Sequence, residues 1–331
     1  MEDCSGELDP VVAIVLTILN TILAVFSTAG NAIVLIAIWR TSSLHSTSNY
    51  FIASLAAADL SVGFIINPLW VAKSGLNIWE NNHFLTIFTE FMSVQTLVTT
   101  TFNLAAVSVD RYVAVTNVFR YLEIVTKKRC IILITFIWIF SLAFSALRFT
   151  ISDPLMLPYL WIAVSVICYT IPFTIIAYCY YKIFKVAKRQ SRQIEMTENS
   201  VGGTTRSNEE AIKRAKKNRK AAYTIGIIIG LYLVFALPSM IISAIQLLTP
   251  DECLKLKIIR AWFWGALVSF SSSAFNPWIY AARNTEYRRA FQQVLGFCEK
   301  LSLKKRKVKP IDIPAKRDND DVDDLPRPEV T

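Results

Sequence analysis

The chain has 331 residues, 53% of them hydrophobic, with a formal net charge of +10 and a mean hydropathy of +0.41. Soluble domains sit near about 45–50% apolar even when glycine is counted, so this composition excludes an ordinary water-soluble protein and leaves apolar surface that must face lipid. The 35 Lys and Arg residues point to an anionic membrane face or an acidic partner, and no zinc-like Cys/His spacing or base-stacking motif accompanies them to suggest nucleic acid.

Seven apolar runs are long enough to cross about 30 Å of hydrocarbon, which takes roughly 20 helical residues. They lie at about 11–39, 48–73, 84–116, 129–150, 157–183, 219–248 and 259–282. The expected fold is an all-α membrane protein, a seven-transmembrane helix bundle over 11–282 preceded by an outer segment, 1–10. The first run carries no charge and follows Glu2, Asp3, Glu7 and Asp9, so it reads as a retained anchor rather than a secretory signal, which follows a basic stretch. With the N-terminus outside, the outer segments hold Lys73, Arg148, Lys255, Lys257 and Arg260. The remaining basic residues then lie on the cytoplasmic side with the C-terminus, as the positive-inside rule requires of a plasma-membrane protein.

Between the fifth and sixth spans the centre of the connection, 195–207, is rich in Thr, Asn, Ser and Gly and reads as disordered. Residues 209–220 have helical composition, with Glu209 and Glu210 placed four residues before Lys213 and Arg214. After the seventh span, 284–297 opens on an N-cap residue, Asn284, and spaces Tyr287, Phe291, Val294 and Leu295 along one face, which predicts a short amphipathic helix in the membrane interface. Cys298 follows directly and is a palmitoylation candidate. The tail, 298–331, passes from a basic to an acidic block and reads as disordered and cytoplasmic.

Ionisable residues within a membrane span are functional candidates, because even low estimates put their cost near 2.5–3.5 kcal/mol at the helix centre. Asp59 is mid-span, Glu90 is in the outer part of the third span, and Asp110 with Arg111 marks that span's inner end. Adjacent opposite charges lower each other's burial cost. Four of these motifs, G-N-A-I-V-L at 30–35, L-A-A-A-D-L at 55–60, D-R-Y at 110–112 and N-P-W-I-Y at 276–280, occur once each and in order with Trp138, Pro172, Tyr180 and Pro238. Together, over 31–298, they resemble a rhodopsin-like (class A) G-protein-coupled receptor.

The resemblance implies a receptor that binds an extracellular ligand in the outer half of the bundle and activates a heterotrimeric G protein as the sixth helix moves outward, with kinases and arrestin as further partners. It assigns the coupling switch to Asp110, Arg111, Tyr112, Tyr180, Asn276, Pro277 and Tyr280. It also matches Asp59, Thr100, Ser273 and Asn276 to a cluster that holds a sodium ion, the alternative for Asp59 being a protonated, hydrogen-bonded carboxyl. No other cofactor is implied. Several positions depart from the family pattern. Asn218 replaces the usual acid of the sixth helix, for which raised basal activity is the expectation; Ala236 replaces a tryptophan, Tyr232 a phenylalanine and Thr101 an apolar residue.

Thr86 stands where most of the family has a disulfide cysteine, and the second outer segment is short and lacks cysteine. This loop and cysteine pattern is similar to that of the melanocortin, cannabinoid and lysophospholipid branch. Of the six cysteines only Cys4 and Cys253 fall outside, leaving a bridge between them or two free thiols. Ser93 occupies the place of the aspartate that amine receptors use, and 261–282 holds no retinal-binding lysine. Glu90 is either an acid at the water boundary or the anchor of a cationic ligand, an amine or peptide, in a pocket with Ser93, Trp264 and Phe270; a neutral or lipid ligand is the alternative. A transporter is the competing class, but no internal repeat is present. An enzyme would need a catalytic cluster, and the two histidines, His45 and His83, lie at opposite ends.

Overall fold

The computed structural model describes residues 8–76, 78, 82–151, 153, 156–199 and 206–306. Among these, seven long helices and a shorter eighth follow one another: α1 (Pro10–Arg40), α2 (Thr47–Ser61, continued by Asn67–Leu76), α3 (Phe84–Thr116), α4 (Lys127–Thr150), α5 (Leu157–Ser165, continued by Ile171–Asn199), α6 (Arg206–Leu248), α7 (Glu252–Arg283) and α8 (Thr285–Arg306). A one-turn helix, Tyr121–Ile124, lies between α3 and α4.

Local chemistry sets the helix ends. The Asp9 carboxylate accepts from the backbone N–H groups of Val11 and Val12, and Pro10 occupies the first turn of α1, where its missing N–H costs nothing. Asp251 does the same for α7 through Cys253 and Leu254. Prolines shape the helix interiors. In α2 a π-helical turn, Val62–Ile66, ends two residues before Pro68, with the Asn67 N–H bonded to the Val62 carbonyl. In α5 the same turn, Val166–Thr170, precedes Pro172, with Ile171 bonded to Val166. A proline clashes with the carbonyl four residues back; widening the preceding turn moves that carbonyl aside while keeping the chain helical.

The bundle is polar inside and apolar outside along α1. Its buried stripe includes Asn20, Ser27 and Asn31, while Ile14, Ile18, Ile22 and Phe26 are exposed, the distribution lipid requires. Among the described residues, five helices, α1, α2, α4, α5 and α6, are long and apolar enough to cross a membrane by length and composition alone. The other two long helices, α3 and α7, carry the inward polar side chains: Gln95, Thr99, Thr100, Thr101 and Asn103 are buried on α3, and Ser272, Ser273 and Asn276 on α7. Close approach is built in at two glycines. A Cβ on Gly30 would stand 2.9 Å from Pro277 Cγ, and one on Gly63 would stand 2.6 Å from the Thr28 backbone nitrogen, so α1 meets α7 and α2 at near-backbone contact.

Three expectations shift. The helical part of α5 runs to Asn199 and α6 begins at Arg206, so both ends of the stretch read as disordered are helical; a Ser/Thr/Asn-rich composition does not oppose a helix propagated from a membrane span. The helix after the seventh span continues to Arg306, through residues 298–306 assigned by composition to the tail. Its bundle-facing side is formed by Tyr287, Ala290 and Val294, with Leu295 55% exposed. Residues through Val294 belong to one unit and those from Leu295 to a second.

Candidate functional site

At one end of α3, Asp110 and Arg111 are both buried and form an ion pair, with Arg111 Nε donating to Asp110 Oδ2 at 2.9 Å. Two further groups complete the arrangement. Ser48 Oγ, near the start of α2, donates to Asp110 Oδ2 at 3.0 Å and accepts from Arg111 Nη2. Tyr121, in the one-turn helix, donates to Asp110 Oδ1 at 2.7 Å. Burial first, and then the Asp110 carboxylate, push the Tyr121 hydroxyl above the usual phenol range, so it remains a donor. Neither Ser48 nor Tyr121 was signalled by the sequence, since one is an ordinary serine near a helix start and the other a loop tyrosine.

The other expected switch residues are distributed around this pair. Tyr112 packs with Val115, Ile183 and Ala222. The Tyr180 hydroxyl donates to the Ala222 carbonyl of α6 at 3.1 Å, and a Cβ on Gly226 would lie 3.0 Å from Tyr180 Cε1. Tyr280 stacks on Tyr287 of α8 with ring centroids 5.5 Å apart, and Tyr287 in turn donates to Asn49 Oδ1 at 3.1 Å. Tyr180 therefore holds α6, while Tyr280 holds the α7–α8 corner.

At mid-depth, Asp59 is 1% exposed. Ser273 Oγ donates to its Oδ1 at 2.8 Å and Asn276 Nδ2 to its Oδ2 at 2.7 Å, and the Asn31 amide bridges the Ser27 and Ser273 carbonyls. Thr100 and Ser273 line a cavity of about 40 Å³ that also borders Tyr169, Tyr232, Ala236 and Phe270. The space that a large residue at 236 would fill is thus bordered by both apolar and hydroxyl-bearing residues. A second network, absent from the sequence reading, ties α3 to its neighbours: Gln95 Nε2 donates to Thr99 Oγ1 at 3.1 Å, Thr99 Oγ1 to Ser141 Oγ of α4 at 2.9 Å, and Thr96 bridges Gln95 to Ser61 of α2. A glutamine midway along a span was the available signal.

At the opposite end of α3, Glu90 is paired. Arg148 Nε of α4 donates to Glu90 Oε2 at 2.5 Å and Arg148 Nη1 to the Ile151 carbonyl at 3.1 Å. Arg148 and Lys73, read from sequence as outer-segment charges, are buried within the helix ends, at 1% and 5% exposure; Lys73 Nζ lies 5.3 Å from the Trp70 ring centre. Ser93 Oγ is buried with no hydrogen-bond partner among the described residues. Trp264 is 40% exposed, while Phe270 lines the small cavity, so the four expected ligand residues are not gathered at one cavity. Cys253 is disulfide-bonded. Cys4, its expected partner, and the Cys298 side chain lie outside the described residues.

Residues 30–280 match the family described as 7 transmembrane receptor (rhodopsin family). The chain belongs to this family. Its curated relatives include trace amine-associated receptor 9 of Mus musculus, 29% identical over 300 residues that make up 84% of this chain and 82% of the relative. Trace amine-associated receptor 9 of Homo sapiens is 30% identical over 78% of each chain. The histamine H2 receptor of Rattus norvegicus is 27% identical over 85% of this chain and 79% of its own. The receptor is accordingly a multi-pass membrane protein and not an enzyme, and its family implies a G protein and an extracellular ligand as partners.

Proposed function

We propose that this receptor binds its ligand at the Glu90 end of the bundle, with the N-terminus outside, and signals at the Arg111 end by releasing Arg111 from Asp110 as α6 moves outward. The observation that carries the reading is the closed set of bonds around Asp110. Among the described residues the buried Arg111 is held by Ser48 of α2 and Asp110 of α3, with the loop's Tyr121 bonded to Asp110; it becomes available to an inserted G-protein segment once those bonds open. Kinases and arrestin are proposed to read the same opened face.

The ligand reading is cationic. Amine names are borne by the relatives above, and although Ser93 supplies no charge, Glu90 keeps 24% of its side chain exposed while Arg148 keeps 1%. Arg148 fixes the carboxylate with Lys73 also within electrostatic reach, and the exposed part of the Glu90 side chain is where an amine or a basic peptide group would dock. The existing ion pair equally favours a neutral or lipid ligand as the second reading. Kinship with the melanocortin, cannabinoid and lysophospholipid branch rests on Thr86 and on the short α4–α5 connection, residues 151–156. A ligand screen with a G-protein dissociation readout, containing amines, basic peptides and lipids, tests both readings; substrate flux without nucleotide exchange would replace the receptor reading with transport.

Sodium is proposed as an allosteric ion. A buried carboxylate beside the Ser273 hydroxyl, which shares a small cavity with Thr100, suits a hard cation, and Asp59, Thr100, Ser273 and Asn276 would hold it, neutralising the buried charge in the resting state. A bridge from Cys253 to Cys4 and a lipid chain on Cys298 complete the proposal at the two ends of the bundle.

A further inference from the structure

The outer faces of α5 and α6 do not close on each other along their length. They diverge around a crevice of about 520 Å³ lined by Ala177, Tyr180 and Phe184 of α5 and by Tyr223, Ile227 and Gly230 of α6, within the range of about 300–1,000 Å³ usual for small-molecule sites. Its walls are hydrocarbon and aromatic ring. The Tyr180 hydroxyl is already committed to the Ala222 carbonyl, so an occupant needs no hydrogen-bonding group within the crevice. Phe184 and Tyr223 meet edge to face at 5.8 Å and close its end nearest Arg111. Both remain exposed at the rim, at 52% and 44%.

Helical spacing carries the lining stripes past that end. On α5, residues 177, 180 and 184 lead to Lys188, and on α6, residues 230, 227 and 223 lead back to Lys220; both lysines are exposed. An apolar slot open to the bilayer therefore ends beneath two cations, one from each helix. We propose that the α5–α6 crevice is a binding site for an anionic phospholipid, one acyl chain lying between the helices and the phosphate resting on Lys188 and Lys220. Gly226 and Gly230 form a small-xxx-small pair of the kind that packs helices in membranes. A second copy is nevertheless a poor occupant, because a helix with side chains is about 10–12 Å across and the rim is narrowed by Phe184, Tyr223 and the exposed Ile227.

The crevice shares Tyr180 and one face of α6 with the proposed coupling movement, so its test is made on the receptor alone, without ligand or G protein, and reads lipid occupancy rather than signalling. The purified full chain is placed in nanodiscs of phosphatidylglycerol or phosphatidylcholine, each doped with the same lipid carrying an acyl-chain diazirine, and cross-linked peptides are mapped by mass spectrometry against the exposed face of α1 as the bulk-lipid reference. Labelling of α5 and α6 around 177–230 should exceed the α1 reference in phosphatidylglycerol and approach it in phosphatidylcholine. Gly230→Leu should remove the excess by filling the slot; a Cβ there meets nothing within 4 Å, so the variant is expected to fold, as an unchanged thermal transition would verify. Lys188→Gln with Lys220→Gln should lower the phosphatidylglycerol preference by about fivefold per lysine while chain labelling persists. Equal labelling in the two lipids, labelling indifferent to Gly230→Leu, or cross-links joining α6 of two copies would overturn the proposal.

Discussion

The Tyr121 hydroxyl donates to Asp110 Oδ1 at 2.7 Å, on the side of the carboxylate that Arg111 and Ser48 leave open. Asp110 is therefore held from three parts of the chain, and the loop between α3 and α4 takes part in holding the Asp110–Arg111 pair. Held on both oxygens, the Asp110 carboxylate keeps Arg111 folded back along α3. Any partner that moves this loop weakens the restraint without touching Arg111.

Removing that hydroxyl should raise activity in the absence of ligand. A hydrogen bond to a charged group is worth about 1.5–3 kcal/mol, so Tyr121→Phe should shift the restrained-to-released equilibrium by roughly tenfold or more. Ser48→Ala should act in the same direction, since Ser48 contacts both partners of the ion pair. Basal nucleotide exchange on a purified G protein measures the effect; unchanged exchange in both variants would separate these bonds from the switch.

Arg111→Ala should abolish coupling and spare ligand binding. Asp110 keeps Tyr121 and Ser48 as donors in that variant, which limits the cost of leaving its carboxylate without the guanidinium. The two ends of α3 are also far apart, because 21 residues separate Glu90 from Arg111 at about 1.5 Å per residue. Ligand-stimulated exchange that persists in a surface-expressed Arg111→Ala receptor would remove Arg111 from the mechanism.

The Glu90–Arg148 pair predicts a stability asymmetry. Removing one partner of a buried ion pair leaves the other charged and costs about 3–5 kcal/mol, whereas replacing both is often far milder. Arg148 is the more buried partner, so Glu90→Gln should lower the thermal transition of the detergent-solubilised receptor, and Glu90→Gln combined with Arg148→Met should recover part of the loss. If Glu90 also anchors the ligand, the double variant should regain stability but not the response to a cationic agonist. Recovery of both would return Glu90 to a purely structural role.

The helices were legible because lipid enforces long apolar runs, and the motifs at Asp59, Asp110–Arg111 and Asn276–Tyr280 were legible because their residue types are rare inside a span. What the sequence hid was pairing. Arg148 looked like a loop charge because its span ends two residues later, at Thr150, and only the packing of α4 on α3 turns it toward Glu90. Tyr121 and Ser48 are polar residues at a water boundary, where such residues are common, and nothing local marks them as ligands of Asp110. The α5–α6 crevice is likewise invisible in one dimension, since Gly226 and Gly230 read equally well as a close helix contact.

Sodium dependence provides the test at Asp59. The carboxylate accepts from Ser273 and Asn276, and each oxygen retains a lone pair that a cation could use, with Ser273 also lining the cavity that Thr100 borders. If sodium binds there in the resting state, raising it to about 0.15 M, a physiological ionic strength, should weaken agonist binding, while the same concentration of potassium or a bulky organic cation should not. Asp59→Asn should abolish the difference, because an amide can still accept a hydrogen bond from Asn276 but supplies no negative charge. Ser273→Ala should reduce it by removing a hydroxyl while leaving the carboxylate. An identical response to sodium and potassium, or a sodium effect that survives Asp59→Asn, would leave Asp59 as a protonated carboxyl satisfied by its two hydrogen bonds alone.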